Sequence, residues 1–154
     1  MFVKQKLIMF IATGFFTGRI PVAAGTFGTI AAIPFALVLL IIPPSFHGIY
    51  IVGLILAAIY IADKAEKITG QKDPGCIVID EMAGYVVTLS MVPVNIYTIT
   101  AGFFLFRFFD ILKFTPVKYF EKNFSGGAGV VLDDVMAGVL SAIILKFIYL
   151  SGIF

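Results

Sequence analysis

A chain of 154 residues with a formal net charge of +2 says little about charged partners, and no nucleic-acid partner is expected. Its 60% hydrophobic residues and mean hydropathy of +1.08 exceed what so short a soluble domain could bury, so the chain reads as an integral membrane protein. One cysteine, Cys76, excludes a disulfide framework and a cysteine zinc site, and no convincing leader cleavage site follows Lys4 and Lys6.

The first apolar segment, Leu7 to Ala12, is too short to span about 30 Å of hydrocarbon and is expected at the interface. Thr13-Gly14 and Gly18 lead to Pro21 and then to Ala24-Gly25-Thr26-Phe27-Gly28-Thr29, dense in Gly and Thr just before a helix. Two readings stay open there: an anion nest of successive backbone amides, or a tight re-entrant turn whose glycines only permit close packing. No charge occurs between Ile20 and Ala62, room for two crossings, Thr29 to Ile42 and Ile49 to Ala62, broken at Pro43-Pro44.

Asp73-Pro74 reads as a helix cap and first helical residue, with chemistry as the alternative for Asp73. A third crossing then runs to about Val92. Pro93-Val94-Asn95 turns the chain into a fourth, Ile96 to Phe109, and Gly126-Gly127-Ala128-Gly129 precedes a fifth, Val130 to Leu150. The expected fold is therefore all-α: a single membrane-embedded domain over residues 1–154, with about five crossings and a partly embedded N-terminal segment. With a cytoplasmic N-terminus, every acid and every base except Lys146 falls on one face, as positive-inside asymmetry requires.

Asp80 and Glu81 open a run with no charge from Met82 to Phe106. A charge at mid-membrane costs about 2.5–3.5 kcal/mol, less near the interface, so carboxylates in such places usually hold a cation, relay a proton or pair with a base. Gly75-x4-Asp80-x-Met82-Ala83-Gly84 recurs as Gly129-x4-Asp134-x-Met136-Ala137-Gly138. Each Asp lies one turn before its Gly on the same helical face, so close approach at Gly84 and Gly138 would bring both carboxylates to one depth. Asp133 adds oxygens, and Arg107, Asp110 and Lys113 share a face at i, i+3, i+6. Five carboxylates without a counter-ion repel. Oxygen-only ligands favour a hard ion, Mg²⁺ before Zn²⁺, against which Arg107 and Lys113 can hold a phosphate. Interfacial caps and ion pairs are the plainer alternative.

Ala12-Thr13-Gly14-Phe15, Pro21, Gly25-Thr26-x-Gly28, Asp73-x-Gly75-x-Ile77-Val78-x-Asp80-Glu81-x2-Gly84, Arg107-x2-Asp110-x2-Lys113 and Gly126-Gly127-x-Gly129-x3-Asp133-Asp134-x2-Ala137-Gly138 together resemble the phosphatidylglycerophosphatase A family, in order and spacing from about Ile11 to Gly138. The resemblance implies a Mg²⁺-dependent lipid phosphatase of the bacterial inner membrane, its active site facing the cytoplasm. Its implied substrate is phosphatidylglycerophosphate and its product phosphatidylglycerol. It places Asp80, Glu81, Asp110, Asp133 and Asp134 in the family's acidic motifs, as catalytic and metal-holding residues. Gly25, Thr26, Gly28, Arg107 and Lys113 are expected at the substrate phosphate. One departure is local: the family commonly continues its Lys with Pro, whereas Phe114 follows Lys113 and the proline is Pro116.

Other phosphatase chemistries are missing their residues. Cys76 has no arginine six positions on, no Asp-x-Asp-x-Thr/Val motif occurs, and His47 falls on the opposite face. The phosphatidyl-transferase signature Asp-Gly-x2-Ala-Arg is absent too. A small cation carrier or channel subunit is the alternative from another class, and it requires acids spread through the bilayer depth.

Overall fold

The computed structural model describes residues 2–153, with only the backbone described at Pro116, Glu121 and Lys122. Eight α-helices follow one another: α1 Phe2–Ala12, α2 Ala24–Ala31, α3 Ile33–Leu37, α4 His47–Thr69, α5 Ile79–Leu89, α6 Ile96–Leu112, α7 Thr115–Asn123 and α8 Gly126–Leu150. Short 3-10 turns occupy Thr17–Arg19, Val38–Leu40 and Pro44–Phe46, and no strand occurs among the described residues. The all-α expectation therefore holds.

Among the described residues, two stretches are long and apolar enough to cross a bilayer, Pro44–Thr69 and Gly126–Leu150. The expected first crossing is not one helix but α2, α3 and a 3-10 turn, within a shorter apolar run, Ala24–Leu40. Where the helix breaks, Phe35 O accepts both the Val38 amide and, at 2.8 Å, the Tyr50 hydroxyl of α4. Helix α6 begins as the Pro-Val-Asn turn predicts, on a reciprocal cap: the Asn95 side chain accepts from the Tyr97 and Thr98 amides while the Thr98 hydroxyl accepts from the Asn95 amide.

Helix α5 is the centre. It packs against α8, α4, α6, α2 and α3. Every residue of it except Glu81 is buried, including Tyr85 and Leu89 without measurable exposure. A helix buried on all sides can be apolar all round, and at 11 residues, about 16 Å long, it need not reach across lipid alone. The outer helices carry the opposite pattern. On α4, Ile49, Val52, Leu56 and Tyr60 form an exposed stripe, while Ala58, Ala62 and Ala65 face inward. Such continuous apolar exposure marks a surface for lipid.

One expected helix start moved. Asp73 does not start α5: it sits at φ +46°, Pro74 and Gly75 turn with the Ile77 amide bonded to Pro74 O at 2.8 Å, and α5 starts only at Ile79. A Pro-Gly pair is itself a turn signal, and here it outweighs the Asp-Pro start signal. The Val78 amide instead reaches back to Ala12 O at the end of α1, 2.9 Å away.

Candidate functional site

The site is built where helix ends converge. The starts of α2, α5 and α8 meet the ends of α4 and α6 at one end of the bundle. What allows α5 and α8 to touch is the pair of glycines singled out in the sequence echo. A Cβ on Gly84 would stand 2.5 Å from Asp134 O, and one on Gly138 would strike Gly84 O, so the two backbones cross with nothing between them. One helical turn before each glycine stands its carboxylate, and Asp80 and Asp134 line the same cavity.

That cavity, about 190 Å³, is lined by all five expected acids together with Lys113 and Asp73. Asp80, Asp110, Asp133 and Asp134 are each less than a tenth exposed. The cations are committed to some of these oxygens. Arg107 donates to Asp110 one turn on and lies 3.5 Å from Glu81, and Lys113 donates to Asp133 Oδ2 at 2.8 Å. Lys113 reaches Asp133 from the left-handed residue that ends α6, φ +42°. Four buried carboxylate oxygens keep no hydrogen-bond partner: Asp80 Oδ1, Glu81 Oε2, Asp133 Oδ1 and Asp134 Oδ2. A buried anion left so costs several kcal/mol unless something positive joins it.

The donor set fits a hard divalent cation in kind, being oxygen only, buried and short of partners. It does not form a finished coordination shell, for among the described residues no three His, Cys, Asp or Glu side chains converge on a ready position.

The Gly25-Thr26-Phe27-Gly28 segment reaches the site, but not as a loop. It is the first turn and a half of α2, and the helix takes up the Thr26 and Phe27 amides, both of which bond Ala23 O. Its closeness comes from what the glycines lack. A Cβ on Gly25 would collide with the Glu81 carboxylate and stand 2.7 Å from an Arg107 nitrogen, and one on Gly28 would crowd Val78 and Glu81. Asp73, set aside in the sequence as a cap, is the residue that reading undervalued: it lines the cavity beside the acids. The Pro74-Gly75 turn was the available signal. Asp63 of α4 was missed as well. It packs on the start of α8, where a Cβ on Gly127 would stand 2.5 Å from the Asp63 backbone nitrogen, and its carboxylate pairs with Lys67.

The fold and site define an all-α protein of membrane type, with apolar outer helices and a buried oxygen cluster beside two cations at one end of the bundle. Residues 10–149 match the family model of phosphatidylglycerophosphatase A, and the chain belongs to that family. It is 38% identical to phosphatidylglycerophosphatase A of Escherichia coli (strain K12) over 139 residues, 90% of this chain and 81% of that relative. It is 35% identical to the protein of the same name from Haemophilus influenzae, over 90% of this chain and 86% of the relative. A protein of Bacteroides thetaiotaomicron provisionally named a phosphatidylinositol-3-phosphatase is 39% identical, over 90% of this chain and 91% of its own length. No solved structure matches the chain. Membership supports a lipid-phosphatase function and, with the apolar helices, a membrane location.

Proposed function

We propose that the protein hydrolyses the terminal phosphate monoester of phosphatidylglycerophosphate, giving phosphatidylglycerol and inorganic phosphate, at the cytoplasmic face of the bacterial inner membrane. The observation that carries this reading is the set of four partnerless buried carboxylate oxygens around one small cavity, with Lys113 in its lining and Arg107 beside Glu81 and Asp110. In this reading the chain crosses the bilayer five times, through the broken α2–α3 segment, α4, α5, α6 and α8. The helix ends that meet at the site then lie at the cytoplasmic interface, within reach of a headgroup.

Asp80, Glu81, Asp110, Asp133 and Asp134 are the residues that would hold magnesium. When bound, it supplies positive charge to the phosphoryl oxygens and lowers the pKa of the attacking water. Arg107 and Lys113 bind and orient the phosphate, exchanging part of their present carboxylate contacts for phosphoryl oxygens. One carboxylate takes a proton from water as its oxygen attacks phosphorus; the bond from phosphorus to the glycerol oxygen breaks, and that oxygen leaves protonated. Gly25 and Gly28 let α2 pack directly on Glu81 and Arg107, and in this reading that brings Thr26 to the phosphate beside them.

The acids line one cavity rather than the depth of the bundle, which argues against the cation-pathway alternative. The Bacteroides relative's name favours testing a second lipid. The experiment is inorganic phosphate release by the purified protein from phosphatidylglycerophosphate and from phosphatidylinositol 3-phosphate, each with and without Mg²⁺. Mg²⁺-dependent release from the first, at a kcat/KM well above the second, is expected. A reversed ratio would transfer the assignment to the inositol lipid, and no release from either would end it.

A further inference from the structure

Arg19 has no part in the phosphatase site. It ends the Thr17–Arg19 turn, exposed, with its guanidinium 4.8 Å from the centre of the Phe16 ring. It borders a cavity of about 370 Å³ that is separate from the acidic one. The other wall is a face of α1 made by Phe2, Gln5, Lys6 and Met9, the i, i+3, i+4, i+7 spacing of one helical stripe. Phe16, Arg19 and Ile68 complete the lining, so two cations stand over a floor that is largely apolar.

No acid lines this cavity, and among the described residues neither Lys6 nor Arg19 meets a carboxylate. Two cations that share a cavity without a counter-charge repel, and an anion between them removes that cost. The apolar side chains tell which anion. Phe2 is 79% exposed and Phe16 50%, which a free phosphate would leave wet but acyl chains would cover. Arg19, stacked on Phe16, keeps the edge of its guanidinium for oxygen.

We infer that this cavity is a binding site for the headgroup of an anionic membrane phospholipid, held by Lys6 and Arg19 with the upper acyl chains against Phe2, Met9, Phe16 and Ile68. The site is distinct from the phosphatase cavity and depends only on the membrane location. It abuts the catalytic segment through the backbone: Gly18, beside Arg19, packs on the Cys76 carbonyl, and Ala12 at the end of α1 accepts from the Val78 amide.

The protein contains no tryptophan, so a single introduced one reports locally. The F2W protein is placed in bilayers of phosphatidylcholine containing either brominated phosphatidylserine or brominated phosphatidylcholine, and bromine quenching of the indole is measured. Phosphatidylserine is an anionic diester, so it offers the phosphatase site no monoester to cleave. The expected result is a relative binding constant for the anionic lipid at least about fivefold above the zwitterionic one, as one interfacial cation gives. Adding Lys6→Gln and Arg19→Gln should bring the ratio close to one while phosphate release persists. Neutralising Lys4 and Lys64 instead, outside the cavity, should leave it in place. Equal quenching by both lipids in the F2W protein overturns the inference without recourse to the double variant. So does a preference that survives loss of both cations, or that falls equally when Lys4 and Lys64 are neutralised, since then the whole basic surface attracts the lipid.

Discussion

Asp133 divides its two oxygens: one accepts from Lys113 and the other, buried, accepts from nothing. The same division of structural and unspent valence runs through the cluster, and it sets what substitution should do. Asp80→Asn, Glu81→Gln, Asp133→Asn and Asp134→Asn each retain shape while removing charge. Each is expected to lower kcat by at least about a hundredfold, the usual contribution of a proton-transfer group, while melting temperature in detergent holds or rises for the Asp80 and Asp134 variants, where repulsion is relieved, and falls for Asp133→Asn, which weakens the Lys113 pair. Near-normal turnover in the Asp80 and Asp134 variants at an unchanged Mg²⁺ requirement would return these residues to helix packing. Arg107→Gln and Lys113→Gln should also depress kcat/KM, but titrating Mg²⁺ upward should not restore them, since the missing contact is to phosphate itself. Full recovery at high Mg²⁺ would place both cations on the metal-holding side.

Among the elements, α5 and α8 were legible because their signal is a physical requirement. Only glycine lets two backbones meet, so Gly-x4-Asp-x-Met-Ala-Gly written twice placed Asp80 and Asp134 together before any coordinates. The start of α5 and the state of α2 were not legible, for each rests on a choice between equal local signals. Asp73-Pro74 can begin a helix and Pro74-Gly75 can make a turn; tertiary contact with α1 selects the turn. A Gly/Thr run can be a nest or a helix packed tightly, and Glu81 and Arg107 lying against Gly25 accompany the second. The two halves of the glycine echo are thus unequal, and alanine separates them. Gly84→Ala should cost about 1–3 kcal/mol by overpacking against the Asp134 carbonyl, read as a lower melting temperature. Gly75→Ala, where nothing lies within 4 Å, should be near neutral. Gly25→Ala should lower phosphate release more than stability, because its new methyl group displaces the Glu81 and Arg107 side chains rather than backbone. A stability loss as large as that of Gly84→Ala would contradict this.

For the whole molecule, the five-crossing arrangement makes a claim about sides. Cys76, the only cysteine, is partly exposed near the acidic cavity, and Ser45 is exposed on the turn at the far end of α4. A membrane-impermeant maleimide should label Cys76 in inverted vesicles and not in intact spheroplasts, while Ser45→Cys in a Cys76→Ser background should show the reverse. Labelling of both from one side would refute the topology. Overall hydropathy could not show which apolar stretches stay whole: the broken α2–α3 run is as charge-free as α4 from Ile49 to Ala62, and its contacts with Tyr50 and α5 accompany its persistence in pieces.

The close crossing of α5 and α8 also sets an order of events during synthesis. Chains emerge N-terminus first at about 5–20 residues per second, so Asp80, Glu81 and Asp110 enter the membrane before Asp133 and Asp134 exist. Until α8 arrives, Lys113 has no Asp133 to hold, and the groove at Gly84 that α8 will fill faces lipid. On the proposed function, a chain ending after Asn123 lacks Asp133 and Asp134 and is expected to release no phosphate. If these acids form the site as proposed, hydrolytic capacity begins only when the last of the described helices slides into place, so that membrane integration and the onset of catalysis are separate moments in the life of each molecule.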